Sequence, residues 1–460
     1  MTLDDRHPTW ASSSRFVPRT FVRPFLRFTQ VEAASGIVLL VAAAVALFWA
    51  NSAWSDSYTR LFEDLHLDLS FGPIQLEESF GHLINDGLMV IFFFVVGLEI
   101  KRELVLGELR DPRAAALPVM GALGGMVVPA LVYLIFNAGG DAGHGWGIPM
   151  ATDIAFAVGV IALLGRRVPA SGKLFILALA IADDIGAILV IAIFYTSDLR
   201  FAWLAGAIVG LLVVAIAQRV GVRSMIFYVP VAFAIWYAML ESGVHATLAG
   251  VALGLLTPAR PMYDSNELDR KARGILDMFP PGDSAEEHEH SDYEAMLLTE
   301  ISRESVAPLN RLEHKLLPWS SFFVVPLFAL ANAGVSFADT DIGELVLHPV
   351  SLGVGLGLLI GKPVGITLFT WLAVRLGIGK LPPQTVWSHV VGLGFVAGIG
   401  FTVALFVTGL AFTGEEFPDI AKVGVFIGSV LAAMIGAAIL GRGRKLPVEQ
   451  PEPAPVSMGS

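Results

Sequence analysis

The sequence predicts an all-α polytopic membrane protein of about 12 transmembrane helices. Three observations carry that expectation. Hydrophobic residues fill 55% of the 460 positions and charged ones only 15%, whereas a soluble chain would carry roughly 25% charged residues. Apolar runs near the length that crosses a bilayer, about 20 residues, recur along most of the chain. Lysine and arginine also alternate between loops, as they do in multi-span proteins.

The apolar windows fall at residues 31–51, 81–100, 114–137, 148–165, 173–195, 201–218, 223–240, 243–257, 316–335, 349–375, 386–412 and 422–441. The first is expected to be a retained span, although Ala50-Asn51-Ser52-Ala53 loosely mimics a cleavage site. With the N-terminus inside, the inward segments hold 26 of the 30 Lys and Arg. The outward segments hold only Arg60, Arg200 and Lys422, and Lys362 lies inside a span. A wrong span count would scramble that alternation, so both termini are expected in the cytoplasm. The chain then divides into a basic N-terminal segment, 1–30, a twelve-span domain, 31–445, and a Pro-rich tail, 446–460.

Two loops have character. Between the first two spans, Leu65, Leu67, Leu69 and Phe71 alternate with polar residues. Gly72-Pro73 turns the chain, and Ile74 and Leu76 alternate again, so an outer β-hairpin is expected over 65–76. The inner loop 258–315 carries 13 acids against 7 bases, with Pro280-Pro281-Gly282 in its middle. That middle is expected to be disordered. A net charge of −11 without a basic aromatic stripe is no signal for nucleic acid, and the absence of cysteine excludes disulfides and thiolate metal sites.

Charge deep in a span costs about 2.5 kcal/mol or more even on lenient insertion scales, so such residues are functional candidates. Asp183 and Asp184 lie about 11 residues from either end of the fifth span, roughly 16 Å and half the bilayer core. Adjacent carboxylates repel and burial disfavours their charge, so the pair suits holding protons or a small hard cation. Asp153, beside Thr152, is either the N-cap of its helix or part of a cation site at a break, since Pro149 and Gly159 flank it and freed carbonyls bind cations. Lys362, in Gly361-Lys362-Pro363, is too deep to snorkel and requires a carboxylate partner. Asp86 is a further candidate. Glu99, Lys101, Arg102 and Glu103 at the inner end of the second span are either functional or ordinary anchors. His245 is either a structural histidine or a pH sensor, because histidine titrates near neutrality. The fourth span, around Asp153, and the eleventh, with Gly392, Gly394, Gly398 and Gly400, are both interrupted and oppositely oriented. Such a pair suggests an inverted-repeat transporter.

The runs Ala151-Thr-Asp-Ile-Ala-Phe-Ala-Val-Gly159, Ala180-Ile-Ala-Asp-Asp-Ile-Gly-Ala187, Ser242-Gly-Val-His-Ala-Thr-Leu-Ala-Gly250, Gly361-Lys-Pro-Val-Gly365, Gly398-Ile-Gly-Phe-Thr402 and Val96-Gly-Leu-Glu-Ile-Lys-Arg-Glu-Leu104 resemble the NhaA family of Na+/H+ antiporters over about residues 30–445. The resemblance implies crossed, unwound fourth and eleventh helices in the cell inner membrane. It also implies electrogenic exchange of Na+ (or Li+) for more than one proton, serving pH and sodium homeostasis, with no cofactor beyond the transported ions. It makes Asp184 the main cation ligand, Asp183 its neighbour and partner of Lys362, and Asp153 a charge compensator where the helices cross. Glu99, Arg102, Glu103 and His245 become pH-response positions, and the outer hairpin a homodimer contact. The acidic inner loop, the basic N-terminus and the Pro-rich tail depart from the family pattern.

Three rivals are less consistent with the residues. A sodium-coupled symporter needs a pocket for an organic solute, and no midplane polar cluster beyond Lys362 offers one. A channel needs a continuous polar pore, whereas the polar residues here share one depth. An intramembrane aspartyl protease needs two aspartates on different helices, which leaves adjacent Asp183-Asp184 and Lys362 unexplained.

Overall fold

The computed structural model describes residues 34–442 apart from 72–73, 197, 279–284, 338–341, 413 and 415–416. The N-terminal segment 1–30 and the tail 446–460 lie outside the described residues. The described chain is almost entirely helical. In order come α1 (Ala34–Ala50), α2 (Phe80–Val105), α3 (Pro112–Asn137), an interrupted α4 (Asp141–Arg167), α5 (Ala170–Phe194), α6 (Phe201–Val220), α7 (Met225–Glu241) and α8 (Thr247–Leu256). Then follow α9 (Ser265–Leu276), α10 (Ala285–Glu304), α11 (Pro308–Asn332), α12 (Pro349–Arg375), α13 (Trp387–Ala397), α14 (Phe401–Ala411) and α15 (Pro418–Gly441). Among the described residues, eight helices are long and apolar enough to cross a bilayer. The pair α13 and α14, bent by 48° at a short break, makes up to nine, and α1, α7 and α8 are shorter apolar helices. The chain is therefore a multi-pass membrane protein.

Small residues set how closely the helices approach. In α2 and α8 a Cβ on Gly97, Gly250 or Gly254 would run into the backbone of the other helix. Without a hydrophobic drive between helices in lipid, such close backbone packing is what holds them together. The register is parallel, with Gly250 on Val90 and Gly254 on Gly97. The α3–α12 contact is closer still and antiparallel: Gly124 meets Gly365, Pro129 meets Gly361, and Tyr133 meets Gly353. Both directions agree with the loop-charge alternation. One large apolar core joins residues from α1 to α5 with α11 to α15, while α6 and α7 build a smaller cluster with the start of α8.

Between α1 and α2, β1 (His66–Phe71) pairs antiparallel with β2 (Ile74–Ser79), Phe71 opposite Ile74 and Leu69 opposite Leu76. The strands reach Ser79, beyond the 65–76 expected. Nearby, the Tyr58 hydroxyl shares its one hydrogen between the carbonyls of Leu330 (2.9 Å) and Ala331 (2.8 Å) at the end of α11. Burial pushes the Tyr58 phenol well above its ordinary range, so it stays neutral and able to donate.

Where it is described, the 258–315 segment is helical on either side of Pro280-Pro281-Gly282. Asp264 caps α9 in a reciprocal box with Glu267, and Arg273 reaches back to Asp269 one turn earlier at 2.9 Å. Local pairs of this kind stabilise a short helix, and Leu268, Ala272, Ile275 and Leu276 give α9 an apolar face on which Ile275 is buried. Pro280-Pro281-Gly282 lies outside the described residues. The next span also starts earlier than its apolar window at 316, because the amphipathic turns from Pro308 continue directly into it.

Candidate functional site

Two interrupted helices meet at the centre of the fold. In α4, a tight helix over Asp141–Met150 gives way to extended residues 151–153 before a regular helix starts at Ile154. The tight segment is held by two tyrosines: Tyr133 donates to the Ala142 carbonyl at 2.6 Å and Tyr195 to the His144 carbonyl at 2.7 Å. The second break is Gly398-Ile399-Gly400, between α13 and α14. A Cβ on Gly398 would lie 2.5 Å from the Leu358 carbonyl oxygen, so the residue types at the break follow from crowding. The breaks bond to each other. The Asp153 amide donates to the Ile399 carbonyl at 2.7 Å, and the Thr152 hydroxyl lies 2.9 Å from the Ala397 carbonyl.

Asp153 serves both helices. Its Oδ1 accepts the Phe156 amide at 3.1 Å, capping its own helix, and its Oδ2 accepts the amide (3.1 Å) and hydroxyl (2.5 Å) of Thr402 at the start of α14. The N-cap reading and the position at a break are therefore both realised. Anions are favoured where helix N-termini point, and one carboxylate answers two of them here.

Beside the breaks, α5 and α12 supply the charges. Lys362 and Asp183 have no exposed side-chain surface and form an ion pair. Lys362 Nζ also lies 2.5 Å from the Thr152 hydroxyl, which is 2.7 Å from Asp183 Oδ2. Thr152 has one hydroxyl hydrogen for two acceptors, so its bonds to Asp183 and to Ala397 compete. The backbone at Lys362 is also special. Residues Gly357–Gly361 wind in a wider π turn immediately before it, and Pro363 offers no amide to the preceding turn. Asp184 is buried, yet among the described residues its carboxylate has no hydrogen bond or ion pair. Asp183 Oδ1 is likewise buried without a partner among the described residues. The cluster thus holds one fixed charge pair and several unclaimed carboxylate oxygens, a donor set suited to a proton or a hard cation that prefers oxygen ligands.

The four residues grouped around pH response do not come together. Arg102 pairs with Glu313 of α11 and lies 4.0 Å from Glu103, in the C-terminal turns of α2 alongside Glu99. His245 sits just before α8, its Nε2 2.7 Å from the Tyr195 carbonyl. Asp86 is on the same side of the bundle: it lies 3.1 Å from His82, and its carbonyl accepts Trp236 Nε1 at 2.8 Å. Three participants escaped sequence reasoning. Thr402 lay within the glycine-rich run but was not singled out. Glu313 fell before the expected span. Ser429, on α15, accepts the amides of Gly400 and Phe401 at 3.3 Å, and a lone serine in an apolar span carries no signal, because it usually bonds its own helix.

Comparison with known proteins follows this geometry. A profile of the family described as Na+/H+ antiporter 1 matches residues 26–440. The chain is 45% identical over 447 residues to the Na+/H+ antiporter NhaA of Koribacter versatilis, covering 97% of each. It is 47% identical over 433 residues to Na+/H+ antiporter NhaA 2 of Sorangium cellulosum, covering 94% of this chain and 92% of the relative. With the Na+/H+ antiporter NhaA of an Anaeromyxobacter species the identity is 49% over 421 residues, 91% of each chain. The match takes in both broken helices and both partners of the Lys362–Asp183 pair, and on that reach the chain belongs to the NhaA family of Na+/H+ antiporters.

Proposed function

We propose that this chain exchanges sodium for protons across a bacterial inner membrane, electrogenically and with lithium accepted in place of sodium, and so contributes to sodium and pH homeostasis. Asp184 is the principal cation ligand, Asp183 and Thr152 sit beside it, Lys362 is the charge partner of Asp183, and Asp153 compensates the helix ends at the breaks. The observation that carries the reading is the asymmetry of the pair: Lys362 holds Asp183, while Asp184 has no partner among the described residues. Coupling follows from competition. Protons and Na+ need the same oxygens, so loading one unloads the other, and each ligand shifts the carrier toward the state that binds it better.

The three shorter apolar helices, α1, α7 and α8, are read as spans too. With the broken pair counted once, that makes twelve spans in alternating directions with both termini in the cytoplasm. The outer hairpin is read as the contact of a homodimer. Glu99, Arg102 and Glu103 at the inner end, and His245 at the outer end, are read as separate elements of the pH response. The test of the site is Asp184→Asn in proteoliposomes, following internal pH after a sodium pulse. The variant is expected to insert and fold but to lose sodium-driven proton movement. A folded variant that exchanges like the parent protein would overturn the assignment.

A further inference from the structure

Helix α14 begins at a glycine-rich break and cannot cap itself. Its first amides need acceptors, yet Gly398 and Gly400 bring no side chain and the residue between them is Ile399. The acceptors come from two other helices. Asp153 of α4 takes the Thr402 amide at 3.1 Å. The Ser429 hydroxyl of α15 takes the amides of Gly400 and Phe401, both at 3.3 Å. Ser429 is buried, and it reaches the break because the neighbouring Gly428 lets α15 lie against the backbone of Gly355 in α12.

We propose that Ser429 is a positioning residue of the ion site, a cap supplied in trans that holds the start of α14 in register with Asp153 and Thr152. The path is short. Ser429 holds Gly400 and Phe401, the adjacent Thr402 holds Asp153, and Asp153 is bonded through its amide to Ile399 within the same break. Thr152, the next residue back, shares its hydroxyl between Ala397 and Asp183. Without the serine oxygen, two amides buried at the break lack an acceptor. The next amide, that of Thr402, is held by Asp153. A start of α14 that shifts without its serine cap therefore pulls on Asp153 and on the adjacent Thr152, which bonds Asp183. Binding sites lose function on small displacements of this kind, so the loss falls on cation affinity rather than on membrane insertion.

This inference rests on the proposed exchange at Asp184. It is tested with Ser429→Ala in proteoliposomes, reading initial exchange rates against Na+ and Li+ concentration. The expected result is an apparent KM raised about fivefold or more for both ions, with the saturating rate within about twofold of the parent. Ser429→Thr, which keeps the hydroxyl, should restore the KM. Thr408→Ala is the control: that hydroxyl is buried on α14 itself and donates to Ala404 one turn back, at 2.8 Å, so the variant should leave KM unchanged. If Ser429→Ala does not fold, Ser429→Cys, of similar shape but a weaker acceptor, should give an intermediate KM. A folded alanine or cysteine variant with the parent KM overturns the role of Ser429. If the parent exchanges Na+ and Asp184→Asn does not, the underlying reading stands whatever Ser429 does.

Discussion

A lysine without exposed surface in the middle of an apolar helix is tolerated only if its charge is answered. Lys362 is answered by Asp183 and the Thr152 hydroxyl. Removing one partner of a buried pair strands the other charge, at a cost of about 3–5 kcal/mol. Lys362→Ala is therefore expected to melt at a clearly lower temperature in detergent than the parent, and an unchanged melting curve would mean that the pair contributes nothing to holding α5 against α12. This residue, with Asp153, Asp183 and Asp184, was legible in sequence because charge is so costly at that depth. The partners were less legible for the same physical reason reversed. A hydroxyl on a helix costs little, since it can bond the carbonyl four residues earlier. Nothing in the composition therefore distinguishes Ser429, which caps a distant helix, from Thr408, which bonds its own.

At the scale of elements, apolar length found the eight long apolar helices, and glycine with proline found the two breaks. Where the helices begin was harder to read. Helix α11 starts at Pro308, and its first turns carry Arg311, Glu313, His314 and Lys315, so the apolar window missed them and with them the Arg102–Glu313 pair. The described parts of the 258–315 segment are helical, and α9 combines a capping box with an apolar face at helical spacing. The base of that segment is closed by two backbone bonds, from the Met262 amide to the Glu304 carbonyl at 2.9 Å and from the Leu309 amide to the Pro258 carbonyl at 3.1 Å. The chain therefore enters and leaves the loop at nearly the same place, and Glu304 also pairs with Arg223 at the end of the α6–α7 turn. Deleting residues 265–300 with a short glycine-serine bridge spares both closures. The shortened protein is expected to fold and to exchange ions, with at most a shift in the pH at which exchange turns on. Loss of transport at every pH tested would place α9 and α10 inside the transport machinery.

At the scale of the whole molecule, the charge inventory of the cluster sets how transport responds to voltage. With Lys362 holding Asp183 and a proton on Asp184, the three groups are together neutral. In the proposed exchange a sodium ion takes unclaimed oxygens of both carboxylates, and its like charge beside the Lys362 ammonium breaks the pair with Asp183. An ammonium without a partner at that depth is strongly disfavoured, so the lysine gives up its proton as Asp184 gives up its own. One sodium ion is thus exchanged for two protons, the same count that two protonated carboxylates would give. A cycle that moves two protons inward and one sodium outward carries one net positive charge inward. One charge across 100 mV is worth about 2.3 kcal/mol, so an inside-negative potential should accelerate sodium extrusion and steepen the gradient it sustains. The measurement is exchange in proteoliposomes with the potential clamped by potassium and valinomycin. Faster extrusion and a larger final sodium gradient at inside-negative potential than at zero are expected. Rates and gradients that do not differ would mean electroneutral exchange, and the account of one sodium displacing two protons, from Asp184 and Lys362, would have to be abandoned.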